Sequence, residues 1–189
     1  MSEKIFGRVA LIGIGLIGSS LARALRRDSP ETEIIACARR AETLAAVRRL
    51  AIADATTHDP AQAAADADLV VIATPLSAYA EIGERIAPML KDGAILTDVG
   101  SVKQAVIRDL GPHVPPGVHF VPGDSVAGAE HSGPEAGFAE LFAGRWCILI
   151  PLPETPAEAV TGVTRMWGAT SLSTTAKRCS RSCSASTRT

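Results

Sequence analysis

The chain has 189 residues, 47% of them hydrophobic and only 4% aromatic, with a formal net charge of −1. That length suits one domain with a sizeable core of Ala, Val, Leu and Ile, and is marginal for two. Lys177, Arg178, Arg181 and Arg188 have no acidic neighbour after residue 168, so the remainder is acidic on balance, which argues against nucleic acid as a partner. No stretch approaches the roughly 20 apolar residues of a membrane span, and residues 1–7 are too short and polar for a secretory leader. Cys37, Cys147, Cys179 and Cys183 form no C-x-x-C pair and have no histidine cluster beside them. Neither a metal site nor a disulfide framework is expected, and a reducing cytoplasm is the simplest setting.

Strand-like and helix-like segments alternate from residue 8 to about 168. An apolar strand at 8–12 runs into Gly13-Ile14-Gly15-Leu16-Ile17-Gly18 and then a helix at 16–27 closed by Asp28-Ser29-Pro30. A strand at 33–38, a helix at 41–50, a weak strand at 53–57 and an Ala-rich helix at 60–65 follow. Leu69-Val70-Val71-Ile72-Ala73 reads as a buried strand ending at Thr74-Pro75. Then come helix 78–90, strand 94–98, helix 102–110, strand 119–121, a Gly-rich loop, helix 135–142, strand 146–150 and helix 156–167. Such repeated βα units predict an α/β fold, a doubly wound, Rossmann-type, mostly parallel sheet with helices on both faces. Residues 1–168 are thus expected to form a dinucleotide-binding domain. Residues 169–189, rich in Ser, Thr and Arg with Leu172 the only large aliphatic side chain, are expected to be disordered.

The glycine triplet follows a strand and opens a helix, the order a dinucleotide site needs. Gly13 would allow the tight turn, Gly15 would let the backbone approach a pyrophosphate, and Gly18 would let the helix pack on the strand. Leu16 and Ile17 would present N–H groups at the positive end of the helix. Ligands of open α/β sheets lie beyond the carboxyl ends of the strands, which selects 38–40, 74–77 and 98–103 as further contacts. At the end of the second strand, where a carboxylate would bind the ribose of NAD, the chain has Ala38-Arg39-Arg40. Two guanidinium groups and no acid lean toward the 2′-phosphate of NADP. Thr74, Pro75 and Leu76 would border the nicotinamide, and Asp98 and Gly100 would shape the next loop, with Asp98 tying it down and Ser101 as a helix N-cap.

At Gly13–Gly18, at Asp98-Val99-Gly100-Ser101-Val102-Lys103 and across residues 126–138 (VAGAEHSGPEAGF), the chain resembles the prephenate/arogenate dehydrogenases of tyrosine biosynthesis. The resemblance covers residues 5 to about 168. It implies oxidative decarboxylation of prephenate or arogenate, with NAD or NADP as acceptor, and Ser101 assisting at the substrate hydroxyl. The family pattern reads H-P-x-A-G where this chain has Asp124-Ser125-Val126-Ala127-Gly128. Asp124 thus stands where a catalytic histidine is expected, and a carboxylate is a weaker base than imidazole. Turnover is therefore expected to be impaired with cofactor binding intact, and His131 is a second, weaker candidate for the missing base. The resemblance also implies a C-terminal helical domain that forms a homodimer. That pattern stops near residue 169, which reads as a shifted frame or a natural truncation. Two other readings are a nucleotide-binding module without catalysis and another Rossmann reductase, of the pyrroline-carboxylate or β-hydroxyacid type.

Overall fold

The computed structural model describes residues 6–169 and 173–176. Six strands, β1 (Arg8–Ile12), β2 (Glu33–Cys37), β3 (Ala55–Thr57), β4 (Leu69–Ile72), β5 (Ile95–Asp98) and β6 (His119–Val121), form one sheet in the order β3-β2-β1-β4-β5-β6. Every neighbouring pair is parallel. The winding reverses between β1 and β4, which opens a crevice at their carboxyl ends.

The strands read as continuous apolar runs because both faces of the sheet are covered. Val9 and Leu11 of β1 pack with Leu21 and Leu25 of α1 (Leu16–Asp28), Val47 of α2 (Ala41–Arg49) and Met166 and Trp167 of α6 (Ala157–Ala169). Ala10 and Ile12, pointing the other way, pack with Ala63 of α3 (Pro60–Ala64), Ile82 of α4 (Tyr79–Ile86) and Val106 of α5 (Lys103–Leu110). The period-two alternation of one strand thereby divides the core into two layers. On the first layer Trp167 meets the edge of Phe142, with ring centroids 5.5 Å apart.

A second, smaller sheet joins β7 (Gly123–Ser125), β8 (Trp146–Leu149) and β9 (Ser173–Ala176). β7 runs antiparallel to β8, with Asp124 opposite Ile148, and β9 runs parallel to β8. Two expectations are corrected here. The Gly-rich loop after β6 contains a strand, hidden because three residues beside Pro122 carry no apolar alternation. The tail is not wholly without order, since Ser173–Ala176 pairs along β8. The other tail residues, 170–172 and 177–189, lie outside the described ones.

A third correction concerns the helix expected at 135–142, which is two 3-10 turns, Pro134–Ala136 and Ala139–Phe142. Between them the chain is extended at Gly137 and Phe138, because this stretch lies directly on α1. A Cβ on Gly137 would come within 3.0 Å of the Ser20 nitrogen, and the Phe138 N–H donates to Ser20 Oγ at 3.1 Å. Tertiary contact takes the N–H that a helix would have used. Among the described residues no helix is long and apolar enough to cross a membrane.

Candidate functional site

A cleft of about 500 Å³ lies at the carboxyl ends of β1, β2 and β4, within the range of small-molecule sites. Its floor is the glycine turn. Gly13 has φ +96°, and a Cβ there would stand 2.5 Å from the Ala73 carbonyl oxygen and 2.9 Å from Thr74 Cγ2. The turn is drawn this tight because its N–H bonds the Cys37 carbonyl at 2.9 Å while the Ala73 N–H bonds Ile12 at 2.7 Å. Gly18 backs directly onto the Gly13 carbonyl, so only a residue without a Cβ lets α1 approach the strand. Gly15 differs from both: a Cβ there would meet nothing within 4 Å. It is also the N-cap of α1, with no side chain capping the helix and no acid in the first turn. Free N–H groups and a positive helix end therefore adjoin open space beside Gly15.

Of the residues expected at a cofactor, the cleft brings together Gly13, Gly15, Arg39, Arg40, Thr74 and Pro75. Thr74 adds a sign of an intended ligand, for its Oγ1 is buried without a hydrogen-bond partner among the described residues. The open cradle at Gly15 and the orphaned Thr74 hydroxyl both fit the diphosphate and ring of a nicotinamide dinucleotide. Leu16 and Ile17 pack their side chains on the core, leaving their backbone at the helix start.

The cleft has walls that the sequence did not single out. His58 donates through Nδ1 to the Ala38 carbonyl at 2.9 Å. Glu81, Ile82 and Arg85 come from α4, and spacings of three and four residues would have placed Glu81 and Arg85 on one helical face. Ser132, Gly133 and Pro134 form the far rim. They are held there by Arg23, which reaches the Pro134 carbonyl at 3.5 Å, and by an Arg49–Glu135 ion pair at 2.9 Å.

Asp98, buried, with Gly100 and Leu76, half-buried, forms a separate node and does not line this cleft. Asp98 is fully buried. Its Oδ2 accepts from the Gly100 N–H at 2.8 Å and from Lys103 Nζ at 2.6 Å, and its Oδ1 accepts from the Gly123 N–H at 3.1 Å. Lys103 also donates to the Gly123 carbonyl, and the Tyr79 hydroxyl lies 3.4 Å from Oδ2. Burial pushes the Asp98 carboxyl above the usual range, against the pull of Lys103 and the two amides. The expectation that Asp98 ties down its loop agrees with these contacts. Ser101 is not the N-cap of α5, because the cap position is Val102 and no side chain caps it. Turning Lys103 inward to Asp98 starts the helix later and leaves Ser101 exposed.

Through Gly123 the same node anchors β7, where Asp124 is half-buried. His131 is exposed and is not part of the cleft lining, although the next residue, Ser132, is on its rim. Ser101, Asp124 and His131 are therefore not drawn into the glycine-turn cleft.

Comparison with known proteins agrees with this architecture. The family model for the prephenate dehydrogenase nucleotide-binding domain matches residues 21–173. The chain is 38% identical over 163 residues to a cyclohexadienyl dehydrogenase of Zymomonas mobilis, covering 86% of this chain and 55% of that protein. It is 32% identical to the prephenate dehydrogenase of Bacillus subtilis, covering 80% of this chain and 41% of that one. The chain thus spans about half the length of the curated relatives it matches. Among solved structures, the prephenate dehydrogenase of A. aeolicus in complex with hydroxyphenyl propionate and NAD+ superposes with a TM-score of 0.81 at 27% identity, over 95% of this chain and 61% of that chain. A Synechocystis arogenate dehydrogenase also reaches 0.81, at 26% identity, over 90% of this chain and 59% of that one. With most of its length matched by the family model, and a relative 38% identical over 86% of it, the chain belongs to the prephenate dehydrogenase family.

Proposed function

We infer that this chain is the cofactor-binding part of a prephenate or arogenate dehydrogenase, and that its dinucleotide is NADP. The observation that carries the reading is the glycine turn, where Gly15 leaves an open cradle at the uncapped N-terminus of α1. Backbone N–H groups there would hold the pyrophosphate, the Thr74 hydroxyl and Pro75 would border the nicotinamide, and Arg39 and Arg40 would meet the adenosine end. The absence of a carboxylate at Cys37-Ala38-Arg39-Arg40 supports the phosphorylated ribose. When bound, the nicotinamide would supply the two-electron acceptor for oxidation of a cyclohexadienol ring. The complex of the A. aeolicus enzyme with hydroxyphenyl propionate and NAD+ supports this reading, since a hydroxyphenyl acid is the aromatic form that such an oxidation would leave.

Substrate would lie on the β5–β7 side of the cleft, bordered by Ser101 and Asp124. Ser101 is exposed and free to hydrogen-bond a ring hydroxyl there, with Asp124 as the group that takes up its proton. A carboxylate accepts that proton less readily than imidazole and carries a negative charge toward an anionic substrate. The experiment is NADPH formation from NADP+ with prephenate and with arogenate, for the chain and for Asp124→His. The proposal expects Asp124→His to raise the rate by about 100-fold, the lower range of a general base. An unchanged, measurable rate would remove Asp124 from the reaction. No turnover in either protein, with dinucleotide binding retained, would favour a binding module without catalysis, the reading that the carboxylate at 124 also supports.

A further inference from the structure

The adenosine end of the cleft holds a third arginine that the glycine fingerprint does not announce. Arg85 comes from α4, which follows β4, yet its guanidinium is tied to the end of β2: it pairs with Asp59, whose neighbour His58 bonds the Ala38 carbonyl, one residue before Arg39. Arg85 is aimed by Asp59, whose Oδ1 accepts from Arg85 Nη2 at 2.9 Å. The same oxygen accepts the Ala61 N–H at 3.1 Å as the N-cap of α3. Asp59 is therefore committed to the helix and to Arg85 and is absent from the cleft lining, whereas Arg85 lines it. A guanidinium has five donors and spends one of them here, so the others remain for a ligand. Glu81, one helical turn earlier, is 3.9 Å from Arg85 Nη1 and is 75% exposed at its side chain, so it offers Arg85 only a loose, solvated partner.

We propose that Arg85, held by Asp59, is a specificity-determining residue that binds the 2′-phosphate of the dinucleotide together with Arg39 and Arg40. The inference rests on the NADP reading above and deepens it. A phosphate monoester presents three acceptor oxygens, and holding it from the β2–α2 loop and from α4 excludes the sliding that a single surface arginine permits. The unphosphorylated ribose of NAD gives Arg85 nothing of comparable charge. Its contribution is therefore selective for NADP rather than shared between the two cofactors.

The test is equilibrium titration of the purified chain with NADPH and with NADH by nucleotide fluorescence, with 2′-AMP and 5′-AMP as competitors. Arg85→Gln is expected to weaken NADPH about tenfold or more while changing NADH less than about threefold, the scale of one charge-assisted contact. It should weaken 2′-AMP but not 5′-AMP. Glu81→Gln, which removes a negative charge from the wall and breaks no buried contact, is expected to tighten NADPH about threefold. Equal weakening of NADPH and NADH by Arg85→Gln, or no change in either, overturns the role of Arg85 while leaving the cofactor reading intact. No tightening by Glu81→Gln also counts against it. Failure of the unaltered chain to bind either dinucleotide overturns the cofactor reading itself.

Discussion

Two glycines of the same turn are expected to fail in opposite ways when a methyl group is added. At Gly13 the backbone has φ +96° and the new Cβ would lie 2.5 Å from the Ala73 oxygen and 2.6 Å from its carbonyl carbon. Both are backbone atoms of the chain leaving β4 and cannot rotate away. Left-handed strain of about 1–2 kcal/mol and overpacking of about 1–3 kcal/mol together give about 2–5 kcal/mol, a large share of a typical ~5–15 kcal/mol domain stability. At Gly15 the Cβ would meet nothing within 4 Å and φ is −77°. Ala is a poorer N-cap than Gly, but it also restricts the unfolded chain, so the net change in stability stays within about 1 kcal/mol. Its methyl group fills the space assigned to the pyrophosphate, so Gly15→Ala is expected to weaken NADPH by about tenfold. Urea unfolding followed by the fluorescence of buried Trp167, paired with NADPH titration of each folded variant, separates the two effects. Equal destabilisation by both substitutions, with Gly15→Ala binding NADPH normally, would refute the division of labour within the turn.

Other outcomes follow from the buried polar groups. Lys103→Met leaves the fully buried Asp98 carboxylate without its cation and is expected to cost about 3–5 kcal/mol near neutral pH. Losing Lys103 moves the already raised Asp98 carboxyl further up, so the native state binds a proton that the unfolded state releases. Stability of the variant should therefore rise as pH falls from 8 toward 5, and its deficit against the parent should shrink, as urea unfolding at each pH will measure. A constant deficit across that range would contradict the pairing. Burial pushes the Cys37 thiol up to about 11, with Asp59 adding to the shift and Arg85 opposing it. Only about one part in a thousand is thiolate at pH 8, so alkylation followed by peptide mass spectrometry should accelerate about tenfold per pH unit up to pH 10. Because Cys37 lines the cleft, NADPH should slow that reaction.

The parallel sheet was legible because its signals are local: apolar runs such as Leu69–Ile72 and the glycine triplet between β1 and α1. The structure places Gly13, Gly15, Arg39, Arg40, Thr74 and Pro75 on one cleft because all lie just past strand ends, a topological rule readable from the strand pattern. What escaped reading depends on contacts distant in sequence. The break in the helix expected at 135–142 comes from Gly137 lying on Ser19 and Ser20, more than a hundred residues away. The pairing of Ser173–Ala176 is with β8, a strand more than twenty residues earlier. Arg85 resembles an ordinary i, i+4 surface partner of Glu81 until Asp59 is seen to turn it toward β2. Ser101 missed its capping role because Lys103 is drawn to Asp98, a preference that helix propensity does not contain.

If the turn at Gly13–Gly18 holds a phosphorylated nicotinamide dinucleotide, calorimetric titration with NADPH will show saturable one-to-one binding by the unaltered chain, tighter than for NADH. That binding will be lost in a Gly15→Val variant that unfolds at a similar urea concentration. No saturable binding, or binding that survives Gly15→Val unchanged, would contradict this role of the turn.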